Sequence, residues 1–427
     1  MPNLVLSRRA FIAGSLAVGA ASHGRLSAAP ARSAFRSIRY ATADRFGPAR
    51  PLPFSENLVQ DVRGPVCPQR GGLVISMGKP SPNRQDEHCQ ILSVFTPSRS
   101  GKRPVMVFLH GGAFVTGGGE LAWYDGDRLA LEQDIVVVPV SYRLGAFGFR
   151  IPEEGAAMSP GFSDVVAALD WVRRYIHLFG GDPANVTVCG QSAGSAMAMV
   201  LNDYGYGGGL YRRIIAMSGN HLFATRDEAA EHSRIFDRTL GKDPRNASPD
   251  EIVDAQSRIK SGSSTHPFWL PMAPAKLAPI GADVLAGSLR EDLSFVALLS
   301  ASRRPQPGDS LDGYRALSKP LNDEMRSYAQ ATAAAGRKAF AYSFDWQGPD
   351  TGLGDTHTID LSFIFGSWAA WQDAPMLAGV DRQDYERMGL LMRRQWAAFA
   401  RSGNPQIPGG PAWRQATPEE APLTHIV

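Results

Sequence analysis

The sequence predicts an α/β protein with a mainly parallel central sheet flanked by helices, and two patterns lead to this fold class. Short apolar runs that contain almost no polar side chain are typical of strands covered on both faces. Segments with apolar residues at helical spacing alternate with these runs along the chain. Such alternation is expected where helices connect parallel strands.

The predicted strands and helices can be placed in chain order. The apolar runs predict six strands, at residues 105–109, 135–140, 186–189, 214–217, 284–286 and 340–344. Helical spacing predicts a helix over residues 164–179, with Ser163 as its N-cap. A second helix is predicted at residues 195–201 and a last one through residues 388–399, which Gly403 is placed to end.

Composition and charge limit the classes of function. The chain has 427 residues and a net charge of +3, from 44 basic and 41 acidic side chains. Residues 1–31 hold three arginines and no acid, so the chain without them has a net charge of 3 − 3 = 0. A near-neutral chain gives no electrostatic reason to expect nucleic acid or an anionic membrane as a partner. No linker or repeat divides residues 32–427, which we therefore expect to form a single domain.

The first 31 residues have the features of an export signal. Arg8 and Arg9 precede a short apolar stretch of small residues, 11–22, which is too short to span a bilayer. The SRRAFI sequence at residues 7–12 resembles a bacterial twin-arginine signal. We expect cleavage between about residues 24 and 34 and a mature protein located outside the cytoplasm, periplasmic or secreted. No other stretch is apolar enough over about 18 residues to span a membrane.

The three cysteines are compatible with that compartment. Cys67 and Cys89 lie 22 residues apart in a segment rich in proline and glycine, where a disulfide could close a loop. The alternative is that both remain free thiols. Cys189 ends an apolar run and is expected to be a small buried core residue rather than a nucleophile.

A candidate nucleophile follows the predicted strand 186–189. Residues 190–194 read GQSAG, which has the G-x-S-x-G form, and a helical segment follows directly. This strand–turn–helix context is the one in which a nucleophilic serine is raised above the end of a sheet. The predicted strand 105–109 is followed by HGGAF at residues 110–114, a glycine-rich loop that can bring backbone N–H groups close to a reacting carbonyl. His110 itself is expected to have a structural role.

Ordered motifs across most of the chain resemble the type-B carboxylesterase/lipase family of α/β hydrolases, which includes the cholinesterases. Besides the two loops above, the matching segments are FRSIRYA at residues 35–41, GPVC at 64–67 with EHC at 87–89, SYRLG at 141–145 with FGF at 147–149, FGGDPANVT at 179–187, GDTHTIDLSFIFG at 354–366 and FARSGNP at 399–405. The resemblance implies an α/β-hydrolase fold and supports the pairing of Cys67 with Cys89.

The resemblance also implies roles for individual residues. Ser192 corresponds to the nucleophile and His357 to the general base and acid, while the oxyanion-binding N–H groups correspond to Gly112, Ala113 and Ala193. The segment GSLREDLSF at residues 287–295 resembles the loop of the catalytic acid and places that acid at Asp292 rather than at Glu291. An alternative is that both are solvated loop acids and that Asp360, three residues after His357, orients the imidazole.

Two departures from the family pattern affect these expectations. Gln191 stands where most members carry glutamate, so a negative charge beside the nucleophile is missing. The intervals from Ser192 to Asp292 and from Asp292 to His357 are short, 292 − 192 = 100 and 357 − 292 = 65 residues. We therefore expect a reduced helical cap over the site.

The sequence thus predicts a serine carboxylesterase that forms an acyl-enzyme and acts on a small-molecule ester. Amide or carbamate hydrolysis stays open within that class. The alternative is a catalytically inactive binding or adhesion protein, as occurs among cholinesterase-like chains, although here Ser192, His357 and an acid are all present. No metal-ligand cluster, phosphate loop or dinucleotide motif occurs in the sequence, so we expect neither a metal nor a cofactor.

Overall fold

The computed structural model describes residues 33–427 except 61, 72–74, 79–82, 152–156, 206–207, 260–268, 273–280, 300–304 and 347. The predicted signal segment, residues 1–31, lies outside the described residues. Eleven strands occur in the described part of the chain: β1 (Ala34–Arg39), β2 (Ala41–Thr42), β3 (Arg50–Pro51), β4 (Ile91–Phe95), β5 (Arg103–Leu109), β6 (Val136–Val140), β7 (Gly181–Gln191), β8 (Arg213–Met217), β9 (Asp283–Leu289), β10 (Ala339–Phe344) and β11 (Leu423–Ile426).

Nine of these strands form one sheet in the order β1-β4-β6-β5-β7-β8-β9-β10-β11. Neighbouring strands from β6 to β11 in this order are all parallel, whereas β1 and β4 pair antiparallel at one edge. Strands β2 and β3 form a separate two-stranded pair. The prediction of a mainly parallel central sheet is confirmed.

The described helices connect and cover these strands: α1 (Asp127–Gln133), α2 (Gly145–Phe149), α3 (Pro160–Tyr175), α4 (Ala193–Asp203), α5 (Arg226–Leu240), α6 (Pro249–Arg258), α7 (Val296–Leu299), α8 (Asp312–Ala334), α9 (Ile359–Phe365), α10 (Trp368–Trp371) and α11 (Arg382–Ser402). None of them is both long and apolar enough to cross a membrane.

Both faces of the sheet are buried, which explains why its strands are continuous apolar runs. Along β5, Val105 and Val107 belong to one apolar cluster and Met106 and Phe108 to the other, because successive side chains point to opposite faces. Side chains of α3 and α4 complete the first cluster, and those of α9 and α11 complete the second. The sheet therefore lies between two helical layers.

Two local predictions were wrong. Helix α3 begins at Pro160 with Ser159 as its N-cap residue, not with Ser163. Proline is pre-organised for the first position of a helix, so the helix begins four residues earlier than expected. The Ser163 hydroxyl instead donates to the carbonyl of Pro160 at 2.7 Å, and its oxygen accepts from the Ala49 N–H at 2.9 Å.

The structure contradicts the expected disulfide between Cys67 and Cys89. Both residues are buried free thiols. The Cys67 sulfur accepts the Leu144 N–H at 3.3 Å, so it is held in place by the backbone without a bridge. Burial, and then a hydrogen bond with Cys67, raise the pKa of the Cys89 thiol well above its usual value, which keeps it protonated. Cys189 is also buried, as expected for a core residue.

Candidate active site

Five neighbouring strands bring the candidate site together at one edge of the sheet. The order β5-β7-β8-β9-β10 is parallel throughout, so the carboxyl ends of these strands lie side by side. Sites in α/β sheets form outside these ends. The segments that follow the five strands are the loop at residues 110–114, Ser192, Ser218, Asp292 in the turn after β9, and His357 in the loop after β10.

Ser192 occupies a sharp turn between β7 and α4. Its backbone has φ 56° and ψ −122°, an unfavourable conformation for a residue with a side chain. The turn needs glycine on both sides of the serine. A Cβ atom on Gly190 would lie 2.2 Å from the Gly194 carbonyl oxygen, and one on Gly194 would lie 2.0 Å from the Leu109 carbonyl oxygen. Packing of the turn against β5 therefore requires the glycines of the GQSAG motif.

The loop after β5 passes directly beside Ser192. A Cβ atom on Gly111 would lie 3.0 Å from the Ser192 Cβ and 2.7 Å from the Gln191 Oε1. Gly112 and Ala113 both have positive φ, 111° and 51°. Within the described residues, the N–H groups of Gly112 and Ala113 donate to no protein acceptor. The N–H of Ala193, in the first turn of α4, is one that a helix leaves without an internal partner. The loop thus packs against Ser192 through Gly111, and the three N–H groups predicted to bind an oxyanion have no acceptor in the described part of the protein.

His110 is buried beneath this loop. Its Nδ1 lies 2.8 Å from the Gly111 carbonyl oxygen, and its ring stacks on Tyr142 at 4.4 Å between centroids. Burial lowers the pKa of His110 to about 4, although the backbone hydrogen bond acts in the opposite direction. A histidine that stays neutral and packed in this way supports the loop and is unsuited to shuttling protons.

His357 and Asp292 are in direct contact. The imidazole Nδ1 lies 2.5 Å from the Asp292 Oδ1, and the His357 N–H donates to the Asp292 carbonyl oxygen at 3.0 Å. The Asp292 side chain is fully buried, and its Oδ2 accepts from the Ser218 hydroxyl at 2.6 Å and from the Leu289 N–H at 3.0 Å. Both carboxylate oxygens are therefore satisfied, which fixes the acid relative to the ring.

Opposing effects act on the pKa of His357. Burial lowers this pKa, but the charge and hydrogen bond of Asp292, followed by the charge of Asp360, outweigh it and raise the pKa above its usual value. The ring of Phe295 stacks on the imidazole at 5.1 Å between centroids, so one face of the base is covered by an apolar side chain. The arrangement favours an imidazole that accepts a proton readily at its second nitrogen.

The neighbouring acids lie in different surroundings. Glu291 accepts hydrogen bonds from Arg290 at 2.9 Å, from Arg315 at 2.6 Å and from the Asp355 N–H at 3.1 Å. Asp360 accepts the Leu361 N–H at 3.0 Å, while its buried Oδ2 has no partner in the described part of the protein. Burial, and then the charge of Asp292, raise the pKa of Asp360 to about 7. Of the three candidate acids, the structure brings Asp292 to the imidazole Nδ1.

Two contacts in the site were missed by sequence reasoning. Ser218 binds Asp292 and has a positive φ of 51°, but a serine after an apolar strand carries little signal in a single sequence. The second contact is that of Gln191, whose side-chain Nε2 lies 3.1 Å from the His357 Nε2. Gln191 was singled out for its missing charge, but contact with His357 depends on a side-chain rotamer that no motif specifies.

The fold and the site together define the class of protein as an α/β hydrolase. A serine, an acid and a histidine follow the carboxyl ends of parallel strands, in the chain order of that class. Among the described residues, no group of three or more His, Cys, Asp or Glu side chains is arranged to hold a metal ion. Comparison with known proteins narrows this class. The model of the carboxylesterase family matches residues 19–270 and 314–427.

Individual relatives agree with that match. A probable N-octanoylanthranilate hydrolase of Rhodococcus erythropolis is 34% identical over 414 residues, which cover 89% of this chain and 91% of the relative. Para-nitrobenzyl esterase of Bacillus subtilis strain 168 is 29% identical over 423 residues, covering 87% and 86% of the two chains. The solved structure of a thermophilic PNB esterase superposes with a TM-score of 0.79 at 26% identity and covers 92% of each chain.

The chain belongs to the carboxylesterase family. Its fold is that of an α/β hydrolase, and its class of activity is carboxylic ester hydrolysis. Asp292 lies in the stretch that the family model leaves unmatched, residues 271–313. Its relation to His357 therefore rests on the 2.5 Å contact between the two side chains.

Proposed function

We propose that this protein hydrolyses carboxylic esters through a Ser192–His357–Asp292 triad and an acyl-enzyme intermediate. The observation that carries the proposal is the contact between Asp292 Oδ1 and His357 Nδ1, which leaves the imidazole Nε2 facing Gln191, the residue before Ser192. A carboxylate on Nδ1 holds the proton there, and so makes Nε2 the nitrogen that accepts a proton.

The first half-reaction forms the acyl-enzyme. Ser192 Oγ attacks the ester carbonyl carbon while its proton passes to His357 Nε2. The carbonyl oxygen becomes an oxyanion, which accepts hydrogen bonds from the N–H groups of Gly112, Ala113 and Ala193. The tetrahedral intermediate then collapses, and the alcohol leaves with the proton that His357 returns.

The second half-reaction restores the enzyme. A water molecule gives a proton to His357 Nε2 and attacks the acyl carbon, and the same N–H groups bind the second oxyanion. The carboxylic acid is released as Ser192 recovers its proton. The buried Asp292 carboxylate lies against Nδ1 and stabilises the imidazolium in both halves.

The short intervals on either side of Asp292 bear on the substrate. They leave little chain for a cap over the site, which favours an open, shallow pocket and short-chain esters. Each methylene buried in an apolar pocket contributes about 0.8 kcal/mol, so a shallow pocket should gain little from longer acyl chains. The name of the Rhodococcus relative specifies an octanoyl substrate, which makes chain length the property to measure.

A panel of p-nitrophenyl esters from acetyl to dodecanoyl, with N-octanoylanthranilate as an amide, tests this proposal. We expect kcat/KM to be highest for short acyl chains and the amide to be cleaved poorly. The matched control is the Ser192→Ala variant, which should hydrolyse none of them. A steady rise of kcat/KM towards dodecanoyl would contradict the shallow pocket, and efficient cleavage of the amide would assign the protein to acylanthranilates.

We also propose export by the twin-arginine route, on the basis of Arg8, Arg9 and the short apolar stretch that follows. Exchange of both arginines for lysine in the full chain should leave the esterase in the cytoplasmic fraction, whereas the unchanged chain should be found outside the cytoplasm. Equal export of the two chains would contradict the proposal.

A further inference from the structure

The side-chain amide of Gln191 lies against the nitrogen on which the proposed mechanism depends. Its Nε2 is 3.1 Å from the His357 Nε2, and the glutamine side chain is almost fully buried, at 1% exposure. An amide nitrogen only donates hydrogen bonds. The imidazole Nε2 must therefore be the acceptor, which means that it carries no proton in this arrangement.

The other imidazole nitrogen completes this assignment. Nδ1 contacts the Asp292 carboxylate, which can only accept. The ring is thus the neutral tautomer with its proton on Nδ1, and both nitrogens are held at once. We propose that Gln191 is a positioning residue for His357: its amide donates to Nε2 in the resting enzyme and holds the base in the neutral tautomer that accepts the proton of Ser192.

The charged groups around the imidazole favour its protonated form, whereas the Gln191 amide favours the neutral form. Asp292, from the turn after β9, and Asp360, from α9, both favour the protonated ring. Gln191, at the end of β7, is uncharged, and its N–H can bond only to the unprotonated Nε2. A glutamate at this position would instead accept from a protonated Nε2. The identity of residue 191 therefore shifts the balance between neutral and charged histidine.

This inference rests on the proposed function, in which His357 is the base for Ser192. It predicts a change in the acid limb of the pH profile, which is the pH range in which activity falls because His357 becomes protonated. A donor that binds the neutral base delays protonation, so removal of the donor should raise the apparent pKa of the acid limb. Replacement by a carboxylate should raise this pKa further, because the negative charge stabilises the imidazolium.

The test follows the reaction of the enzyme with diethyl p-nitrophenyl phosphate between about pH 5 and pH 9, where histidine titrates. Ser192 Oγ attacks phosphorus, p-nitrophenolate leaves, and His357 accepts the serine proton, so the rate reports the free base. We expect Gln191→Met, which keeps the length of the side chain but lacks the N–H, to raise the apparent pKa by about half a unit to one unit. Gln191→Glu should raise it by about one unit or more.

Gln395→Met is the matched control. Gln395 is a buried glutamine of α11 whose side-chain atoms have no hydrogen-bond partner in the described residues, and it takes no part in the proposed mechanism. This variant should leave the acid limb where it is in the unchanged enzyme. It also shows how the loss of a buried amide affects folding. The stability of all three variants is measured by thermal unfolding followed by circular dichroism.

The outcomes separate the inference from the proposed function. An acid limb that does not shift in Gln191→Met and Gln191→Glu would overturn the inference. A lower apparent pKa in Gln191→Met would mean that the amide oxygen faces the ring, and this would also overturn the inference. Reaction of Ser192→Ala at the rate of the unchanged enzyme would instead overturn the proposed function. If Gln191→Met does not fold, Gln191→Leu, which also lacks the N–H, takes its place, because the charge of Gln191→Glu raises the pKa whichever amide atom faces the ring.

Discussion

His357 and His221 each contact a well-buried aspartate, yet their surroundings differ. His357 contacts Asp292 at 2.5 Å through Nδ1, and His221 contacts Asp203 at 2.8 Å through Nε2. The second nitrogen of His221 lies 3.4 Å from another carboxylate, that of Glu324, and 35% of the side chain is exposed. The second nitrogen of His357 faces the Gln191 amide beside Ser192.

The difference shows what makes a histidine suitable as a base. Burial lowers the pKa of His221, but hydrogen bonds and charges from Asp203 and Glu324 outweigh it and raise the pKa to about 9. With carboxylates at both nitrogens, His221 stays protonated near neutral pH and forms an ion pair. His357 has a carboxylate at one nitrogen only, so the other can exchange a proton with a hydroxyl. An aspartate–histidine contact alone does not identify a catalytic histidine.

The largest expected effect comes from the nucleophile next to His357. Ser192→Ala should lower kcat for p-nitrophenyl acetate by about 10⁶-fold, the scale of such a loss in a serine protease. The fold should persist because the glycines at positions 190 and 194, not the hydroxyl, permit the turn. Steady-state kinetics beside a circular dichroism spectrum measures both, and retention of a tenth of the activity would contradict the mechanism.

The next effect tests the aspartate of the same pair. Asp292→Asn should lower kcat by about 10⁴-fold, because an amide does not hold the required tautomer and does not stabilise the imidazolium. Glu291→Gln is the matched control, since Glu291 bonds to Arg290 and Arg315 rather than to the imidazole. It should keep kcat within about tenfold of the unchanged enzyme.

The ranking of these two variants decides the assignment of the acid. If Glu291→Gln is the more damaging to kcat while both proteins are folded, the acid is Glu291. If both retain nearly full activity, the acid lies outside this turn, and Asp360→Asn becomes the variant to measure.

A smaller effect is expected from the other histidine. His221→Asn should leave kcat within about twofold, but should lower the free energy of unfolding by an amount that depends on pH. Because the folded pKa of about 9 exceeds the ordinary value of 6.5, this stabilisation is complete below about pH 6.5 and is lost as the pH rises through 9. Urea unfolding of both proteins across this range measures it. A stability difference that grows with pH would contradict the ion pair.

Much of the fold and part of the site could be predicted because the signals are local. The strand runs are apolar since both faces of the sheet are buried, and the glycines around Ser192 are required by contacts within one turn. Contacts that join distant segments were harder to predict. The Ser218–Asp292 and Gln191–His357 hydrogen bonds depend on side-chain rotamers and strand order, and β11 was missed because exposed residues alternate with buried ones at the sheet edge.

Family resemblance had a similar limit. It directed attention to the turn at residues 291–292, where two adjacent acids compete for one role, and the different partners of their side chains became visible only in three dimensions. It also suggested a Cys67–Cys89 bridge that the structure does not contain. A pattern shared along the chain predicts positions well, but not the state of the side chains that occupy them.

The most direct test of the central claim is to detect the acyl group on the enzyme. Rapid mixing with p-nitrophenyl acetate, followed by acid quenching and mass spectrometry of the intact protein and its peptides, should show one acetyl group per chain, located at Ser192. The His221→Asn variant should acquire the same acetyl group, whereas Ser192→Ala should acquire none. Stable acetylation at another residue, or hydrolysis with no acetylated protein at any mixing time, would contradict the account.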